Sequence, residues 1–313
     1  PKFNTDNPQV REFLIGVGEY WIREYEIDGW RLDVPDQITT PGFWEEFRGR
    51  VRAINPEAYL VGEIWHAVPE WVRGDRFDAT MNYVFAAATI AFAAGDRVSP
   101  SVVAGRSYDP YPGIDAREFG ERIAKLLATY DWETTQVQFN LLDSHDAPRV
   151  LSVARGDKAT LRLATLMQMT FPGTPSVYYG DEIALAGTRR YDRPYRDQDA
   201  RRPFPWHDES KWDREMLDYF RRVIALRHAH TALRNGEFHQ VYAQDRQYVF
   251  VRRNEQETLL VVLNASDDPA TIRVPVGAHL PNGVHRRPLF GDLTTDAAGD
   301  GEAAVRIPAR SGG

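Results

Sequence analysis

The stretch Trp30-Arg31-Leu32-Asp33-Val34, entered through Asp28-Gly29 and stopped by Pro35, decides the fold. Side chains alternate faces along a strand, so Trp30, Leu32 and Val34 share one side and Arg31 and Asp33 the other. The apolar side suits packing beneath helices, and on both flanks the periodicity turns helical. Upstream, Asn7 and Pro8 open a helix with Val10, Phe13, Leu14, Val17 and Trp21 at helical spacing. Downstream, a helix is expected over 43–54 and a second strand over 59–64. The alternation continues: Met81, Tyr83 and Phe85 read as a strand running into an alanine-rich segment, 121–130 as helix and 136–142 as strand. Then 157–170 reads as helix, 176–179 as strand and 212–228 as helix, with loops over 99–116 and 187–210. Strand alternating with helix predicts a parallel sheet covered by helices.

From about residue 237 the pattern changes. Residues 248–251, 259–263 and 271–276 are β-rich runs separated by turn residues, which predicts a small antiparallel β-sandwich domain over 237–313 behind an α/β domain over 1–236. Five strand-helix units precede the β-domain, whereas a closed (β/α)8 barrel needs eight. Either the sheet is an open five-stranded one, or three units are expected to precede residue 1. The start at Pro1 without an initiator Met favours the second.

Composition removes several function classes. The 313 residues carry a formal net charge of −7, which argues against nucleic acid or an anionic membrane as partner. There is no cysteine, so disulfides and thiolate metal sites are excluded. No apolar run is long enough to span a membrane, and no signal-peptide pattern appears.

Three segments carry residues suited to chemistry. Arg31 and Asp33 point together into a sheet interior, a costly arrangement unless they pair. The cation holds the carboxylate ionised, as a carboxylate nucleophile requires, and a plain buried ion pair is the competing explanation. Glu63, in Val61-Gly62-Glu63-Ile64-Trp65-His66, sits at the C-terminal end of a strand, where barrel enzymes carry their active sites. Ile64 and Trp65 supply an apolar setting that raises a Glu toward general-acid duty, against the alternative of a solvated strand-end carboxylate. His145 and Asp146 lie just past the third strand, as a metal pair, a base pair or a surface accident. Three such positions on three different strand ends reinforce one another. Retaining glycoside hydrolysis needs two carboxyls about 5–5.5 Å apart, one as nucleophile and one as acid/base.

At these residues the chain resembles a known family. DGWRLDV at 28–34, VGEIWH at 61–66 and NLLDSHDAPR at 140–149 resemble, in order and spacing, the three carboxylate-bearing strands of the α-amylase family of glycoside hydrolases. TPSVYYGDEIAL at 174–185 and RRPFPW at 201–206 resemble its last barrel strand and the following loop. The resemblance implies a TIM barrel, here its last five or so units, ending in the family's C-terminal β-sandwich. It implies Asp33 as nucleophile, Glu63 as acid/base and Asp146 as the carboxylate that grips sugar hydroxyls. Arg31 would hold Asp33 ionised and His145 would bind sugar at the cleavage point. Trp65, His66 and Tyr83 are further candidate sugar-binding side chains, with core packing the favoured role for any one of the aromatic rings. Pro1-Lys2-Phe3-Asn4 and GEIWH resemble the neopullulanase, cyclomaltodextrinase and maltogenic amylase branch. Such enzymes act on α-1,4 and sometimes α-1,6 links of cyclodextrins, pullulan and starch. An α-glucan is therefore the expected partner, with homodimerisation expected of a full-length protein and a cytoplasmic location slightly favoured. No cofactor or catalytic metal is expected, and no acidic loop with EF-hand spacing supports a structural calcium.

The chain departs from the branch at Asp36-Gln37, where an Asn-Glu pair is usual, which bears on hydrolysis against transglycosylation. The family's first three strands, its domain B and its early histidine motif would precede residue 1, so this piece alone is expected to be poorly active. A transglycosylase or isomerase of the same family, or an inactive glucan-binding relative, are the alternatives. The second would normally have lost one of the three carboxylates.

Overall fold

The computed structural model describes residues 3–104, 109–188, 199–280, 288–296 and 301–313. Pro1, Lys2, Tyr108 and part of the 187–210 loop reading fall outside them.

The first helix, α1 (Pro8–Tyr25), starts where Asn7 accepts the Gln9 and Val10 amides and Pro8 supplies a pre-set φ. It packs on α2 (Phe43–Ile54) through Gly18, where a Cβ would stand 2.4 Å from the Phe47 ring. This close approach sets the buried face of α1 as Ile15, Gly18 and Ile22. Of the residues at helical spacing, Leu14 packs against the core, whereas Phe13, Val17 and Trp21 are exposed together with Tyr20 and Tyr25. The helix stands where its spacing predicts, but that spacing alone does not fix its packed side.

Strand β1 (Gly29–Leu32) pairs in parallel with β2 (Tyr59–Gly62), which pairs with β3 (Ala79–Thr80). A parallel bridge from Met81 to Phe139 leads to β4 (Phe139–Asn140), which pairs in parallel with β5 (Thr174–Pro175). The five strands thus follow chain order, with their C-terminal ends on one side. Several are shorter than their sequence suggests. Tyr83 and Phe85 belong to the first turn of α3 (Tyr83–Ala94), started by Asn82 capping the Phe85 amide. The alternation of residues 81–85 comes from a strand end followed by a helix buried nearly all round. Residues 136–137 close α6 (Trp132–Val137), and 176–179 lie beyond β5.

The helices α4 (Pro100–Val103), α5 (Ala116–Thr129), α7 (Val150–Val153), α8 (Lys158–Thr170), α9 (Arg214–Ala229) and α10 (Ala232–Asn235) complete this part. Phe85, Phe171, Leu163 and Leu166 lie in its larger core, and Leu60, Phe43, Phe47 and Phe77 in a second core under β1 and β2.

From Glu237 the chain is antiparallel. Strands β6 (Glu237–Gln244), β7 (Gln247–Arg253), β8 (Thr258–Asn264) and β12 (Ser311–Gly312) form one sheet, ordered β12-β8-β7-β6. Strands β9 (Ala270–Pro275), β10 (Thr294–Asp296) and β11 (Glu302–Ile307) form the other. Val249, Val262, Ile272, Val274 and Val305 fill the space between. Buried arginines tie the two parts together. Arg252, fully buried, donates to the Thr170 carbonyl and, at 2.9 Å, to that of Gly236. Arg310 reaches Asp157 at 2.6 Å and the Ala93 carbonyl at 2.8 Å.

Candidate active site

The C-terminal ends of β1, β2 and β4 bring Arg31, Asp33, Glu63, His145 and Asp146 into one cluster. Register explains the first part: Arg31 lies opposite Val61, and the Glu63 amide bonds the Leu32 carbonyl at 2.9 Å, so Asp33 and Glu63 emerge side by side. Directly after Asp33 the backbone turns sharply, with Val34 at φ 31 and ψ 58. A β-branched residue in the left-handed region is strained, and such strain is held by the surrounding structure.

One guanidinium serves both carboxyls. Arg31 Nη1 is 2.9 Å from Asp33 Oδ1, and Nη2 contacts Glu63 Oε1. The two carboxyls are also close enough that each acts on the other's ionisation. Their surroundings differ. The Glu63 side chain is 2 % exposed and that of Asp33 76 %. Burial pushes Glu63 up; Arg31 opposes this, Asp33 and Asp146 add to it, and the result is about 7. Partial burial also works to raise Asp33, but hydrogen bonds from Arg31 and Glu63 and the fields of Arg31 and His145 outweigh it, leaving Asp33 below its ordinary value. Neighbouring carboxyls driven in opposite directions fit an acid and a nucleophile in one site.

Asp146 faces this pair from a turn beyond the end of β4. His145 Nε2 lies 3.9 Å from Glu63 Oε1 and 3.6 Å from Asp146 Oδ2. Arg201, to which the sequence reading gave no role, donates to Asp146 Oδ1 at 2.5 Å and to the His145 carbonyl at 2.8 Å. Its only signal was its place in the RRPFPW segment. Ser144 Oγ accepts the Asp146 amide at 3.1 Å and bonds the Tyr83 hydroxyl at 2.9 Å, shaping the turn. Among the described residues, Glu63, His145 and Asp146 are the one group of three potential metal ligands lying close together. Arg31 and Arg201 already supply positive charge there, which disfavours a cation.

The remaining expectations separate. Trp65 is half-buried and stacks on Tyr83 with centroids 3.7 Å apart and planes at 4°. Tyr83 has no exposed surface, so it offers no face to a sugar and instead supports Trp65. His66 is exposed one residue beyond Trp65.

The sequence profile described as alpha amylase, catalytic domain, matches residues 1–236. The chain belongs to the alpha-amylase family of glycoside hydrolases. The profile described as neopullulanase-like, C-terminal domain, matches 238–308. Within the family, a cyclomaltodextrinase from a Bacillus species is 42% identical over 89% of this chain and 46% of its own length. Neopullulanase 2 of Thermoactinomyces vulgaris is 38% identical over 88% of this chain and 43% of its own. The crystal structure of the debranching enzyme from Nostoc punctiforme, native form, superposes with a TM-score of 0.89 at 44% identity, covering 100% of this chain and 62% of that one. The chain spans about half the length of the curated relatives it matches. The catalytic-domain fold is the family's TIM barrel, of which the five parallel strands described above are part, followed by the all-β domain.

Proposed function

We propose that this site performs retaining hydrolysis of α-1,4, and also α-1,6, glucosidic bonds in starch-type glucans, cyclodextrins or pullulan. The observation that carries the reading is the single Arg31 guanidinium holding an ionised Asp33 beside a Glu63 that keeps its proton to about pH 7. Asp33 attacks the anomeric carbon while Glu63 protonates the departing glycosidic oxygen. The ionised Glu63 then takes a proton from water, which attacks the same carbon and releases Asp33. Asp146, aimed by Arg201, accepts hydrogen bonds from sugar hydroxyls as positive charge develops on the ring. His145 binds sugar at the cleavage point, and Trp65, backed by Tyr83, offers a flat face to a glucose ring. The chemistry needs no cofactor.

Asp33 is largely open to water in this chain, which screens the field it supplies to a charged transition state. The 313-residue chain is therefore a slow catalyst. A sugar hydroxyl arriving in place of water gives transglycosylation from the same intermediate, and Asp36-Gln37, in the short turn Pro35–Gln37 that follows Val34, lie beside that approach.

The test is trapping. Incubation with a 5-fluoro-α-maltosyl fluoride and mass mapping should place the sugar on the peptide containing Asp33. An adduct on Glu63 or Asp146 overturns the assignment.

A further inference from the structure

Behind the Asp146 turn lies a second acidic pair that the reaction does not use. Asp143 and Asp181 are 2% and 4% exposed, and Arg149 beside them is fully buried. The two carboxyls are neighbours, each acting on the other's ionisation. Asp143 Oδ2 accepts the Val150 amide at 2.8 Å, whereas Asp143 Oδ1 is buried and, with both carboxyls ionised, has no donor among the described residues. Arg149 Nη1 donates to the Tyr179 carbonyl at 2.7 Å and to Asp181 Oδ1 at 3.2 Å. Arg149 Nη2 donates to the Ala200 carbonyl at 3.1 Å. Ala200 is the residue before Arg201, whose guanidinium holds Asp146 and the His145 carbonyl.

We propose that Asp181 is a neutral carboxylic acid that donates to Asp143 Oδ1 and, through Arg149 and the Ala200 carbonyl, positions Arg201 against Asp146. The inference deepens the proposed reading, since Asp146 is one of its three carboxylates. Charge counting supports it. Two neighbouring carboxylates with one guanidinium leave a net negative charge in a dry interior, and one retained proton cancels it. That proton also satisfies the orphaned Asp143 oxygen, which no other group among the described residues does. Asp143 is the better anion because it accepts the Val150 amide, while Asp181 is also faced by Glu182, whose field disfavours a second negative charge. The Tyr178 and Tyr179 rings cover Arg149 at 4.5 and 4.9 Å, so water does not reach the cluster from that side. Burial, followed by Asp143, raises Asp181 well above its ordinary value, and burial raises Asp143 as well.

The pH sign follows. A carboxyl raised on folding contributes stability that is fully present below its unfolded value near 3.8 and is lost as pH rises through the folded value. Asp181→Asn keeps a donor toward Asp143 and removes that titration. Three readouts on the 313-residue chain test the proposal. Wild type should lose thermal midpoint relative to Asp181→Asn between pH 5 and 8, by about 5 °C or more. Isotope-edited infrared difference spectra should show a protonated carboxyl in wild type at neutral pH that is absent in Asp181→Asn. The His145 imidazole resonances, assigned with His145→Gln, should stay in place in Asp181→Asn and move in Asp181→Ala toward those of Arg201→Ala. Parallel midpoints for wild type and Asp181→Asn across this range, or unmoved His145 resonances in a folded Asp181→Ala, overturn the proposal. If Asp181→Ala does not fold, the Asp181→Asn comparison and the infrared band decide alone. None of these readouts needs turnover, so failure of the proposed reaction and failure of this inference are distinguishable.

Discussion

Trp65 and Tyr83 lie face to face, 3.7 Å between ring centroids and 4° between planes, with the Tyr83 hydroxyl 2.9 Å from Ser144 Oγ. The pair links the half-buried face of Trp65, the proposed sugar platform, to the turn that presents Asp146. Trp65→Ala should weaken maltooligosaccharide binding about tenfold, the loss of roughly 1.4 kcal/mol of stacking. Tyr83→Phe keeps the stack and loses one hydrogen bond, so stability should fall by about 1 kcal/mol. Titration calorimetry and urea unfolding separate the two effects. Equal loss of binding in both variants would mean that Tyr83 itself meets the sugar.

Glu63 stores instability that its proposed role as the acid requires. Its folded value of about 7 lies above 4.5, so the stability it contributes is complete below about pH 4.5 and is lost as pH rises through 7. Glu63→Gln should match wild type at pH 4 and be more stable at pH 8 by about 1–3 kcal/mol, while turnover is abolished. Denaturant midpoints at the two pH values check this, and a variant less stable at pH 8 would contradict the sign.

The same two carboxyls shape the pH profile of activity. The protonated Glu63 and ionised Asp33 form should be lost above about pH 7, and on the acid side only below the ordinary Asp range. A plot of kcat/KM against pH for reducing-sugar release reads both limbs. An alkaline limb unmoved by substitutions around Glu63 would exclude it as the acid.

Val34 holds a left-handed backbone, φ 31, directly after Asp33. Glycine removes the steric cost at that position, so Val34→Gly should leave stability unchanged or raise it by up to about 1 kcal/mol. Activity should nevertheless fall, because Asp33 loses its fixed direction. A destabilised Val34→Gly would show that side-chain packing outweighs the strain.

Arg252, on β7 of the all-β domain, is buried and satisfies the Thr170 and Gly236 carbonyls of the preceding domain. Arg252→Met leaves those carbonyls unpaired in a dry region, at a cost of roughly 3 kcal/mol. Guanidinium titration followed separately by tryptophan fluorescence and far-UV circular dichroism should show coincident transitions in wild type and separated ones in the variant.

The order of strands, the change to antiparallel structure after residue 236 and the gathering of Arg31, Asp33, Glu63, His145 and Asp146 were all legible in the chain. Each rests on a period-2 or helical repeat, a cap or stop residue, or a short motif. Element edges were less legible where apolar residues run continuously. Tyr83 and Phe85 alternate as a strand would, yet start a helix that is buried nearly all round. On α1, Phe13, Val17 and Trp21 have the spacing of a core face. The bare backbone of Gly18 packs against Phe47 instead, which puts Ile15 and Ile22 inside.

The sequence by itself determined which residues stand at the strand ends, because alternation along a strand and the position of its stop are local properties. Only the tertiary structure decided what those residues are chemically. Burial of Glu63 beside an open Asp33 separates two carboxyls that share one arginine. Arg201 reaches Asp146 from 55 residues away, and Asp181 shares a buried cluster with Asp143. Desolvation and long-range pairing depend on what surrounds a group in space, and no local pattern in the chain encodes that.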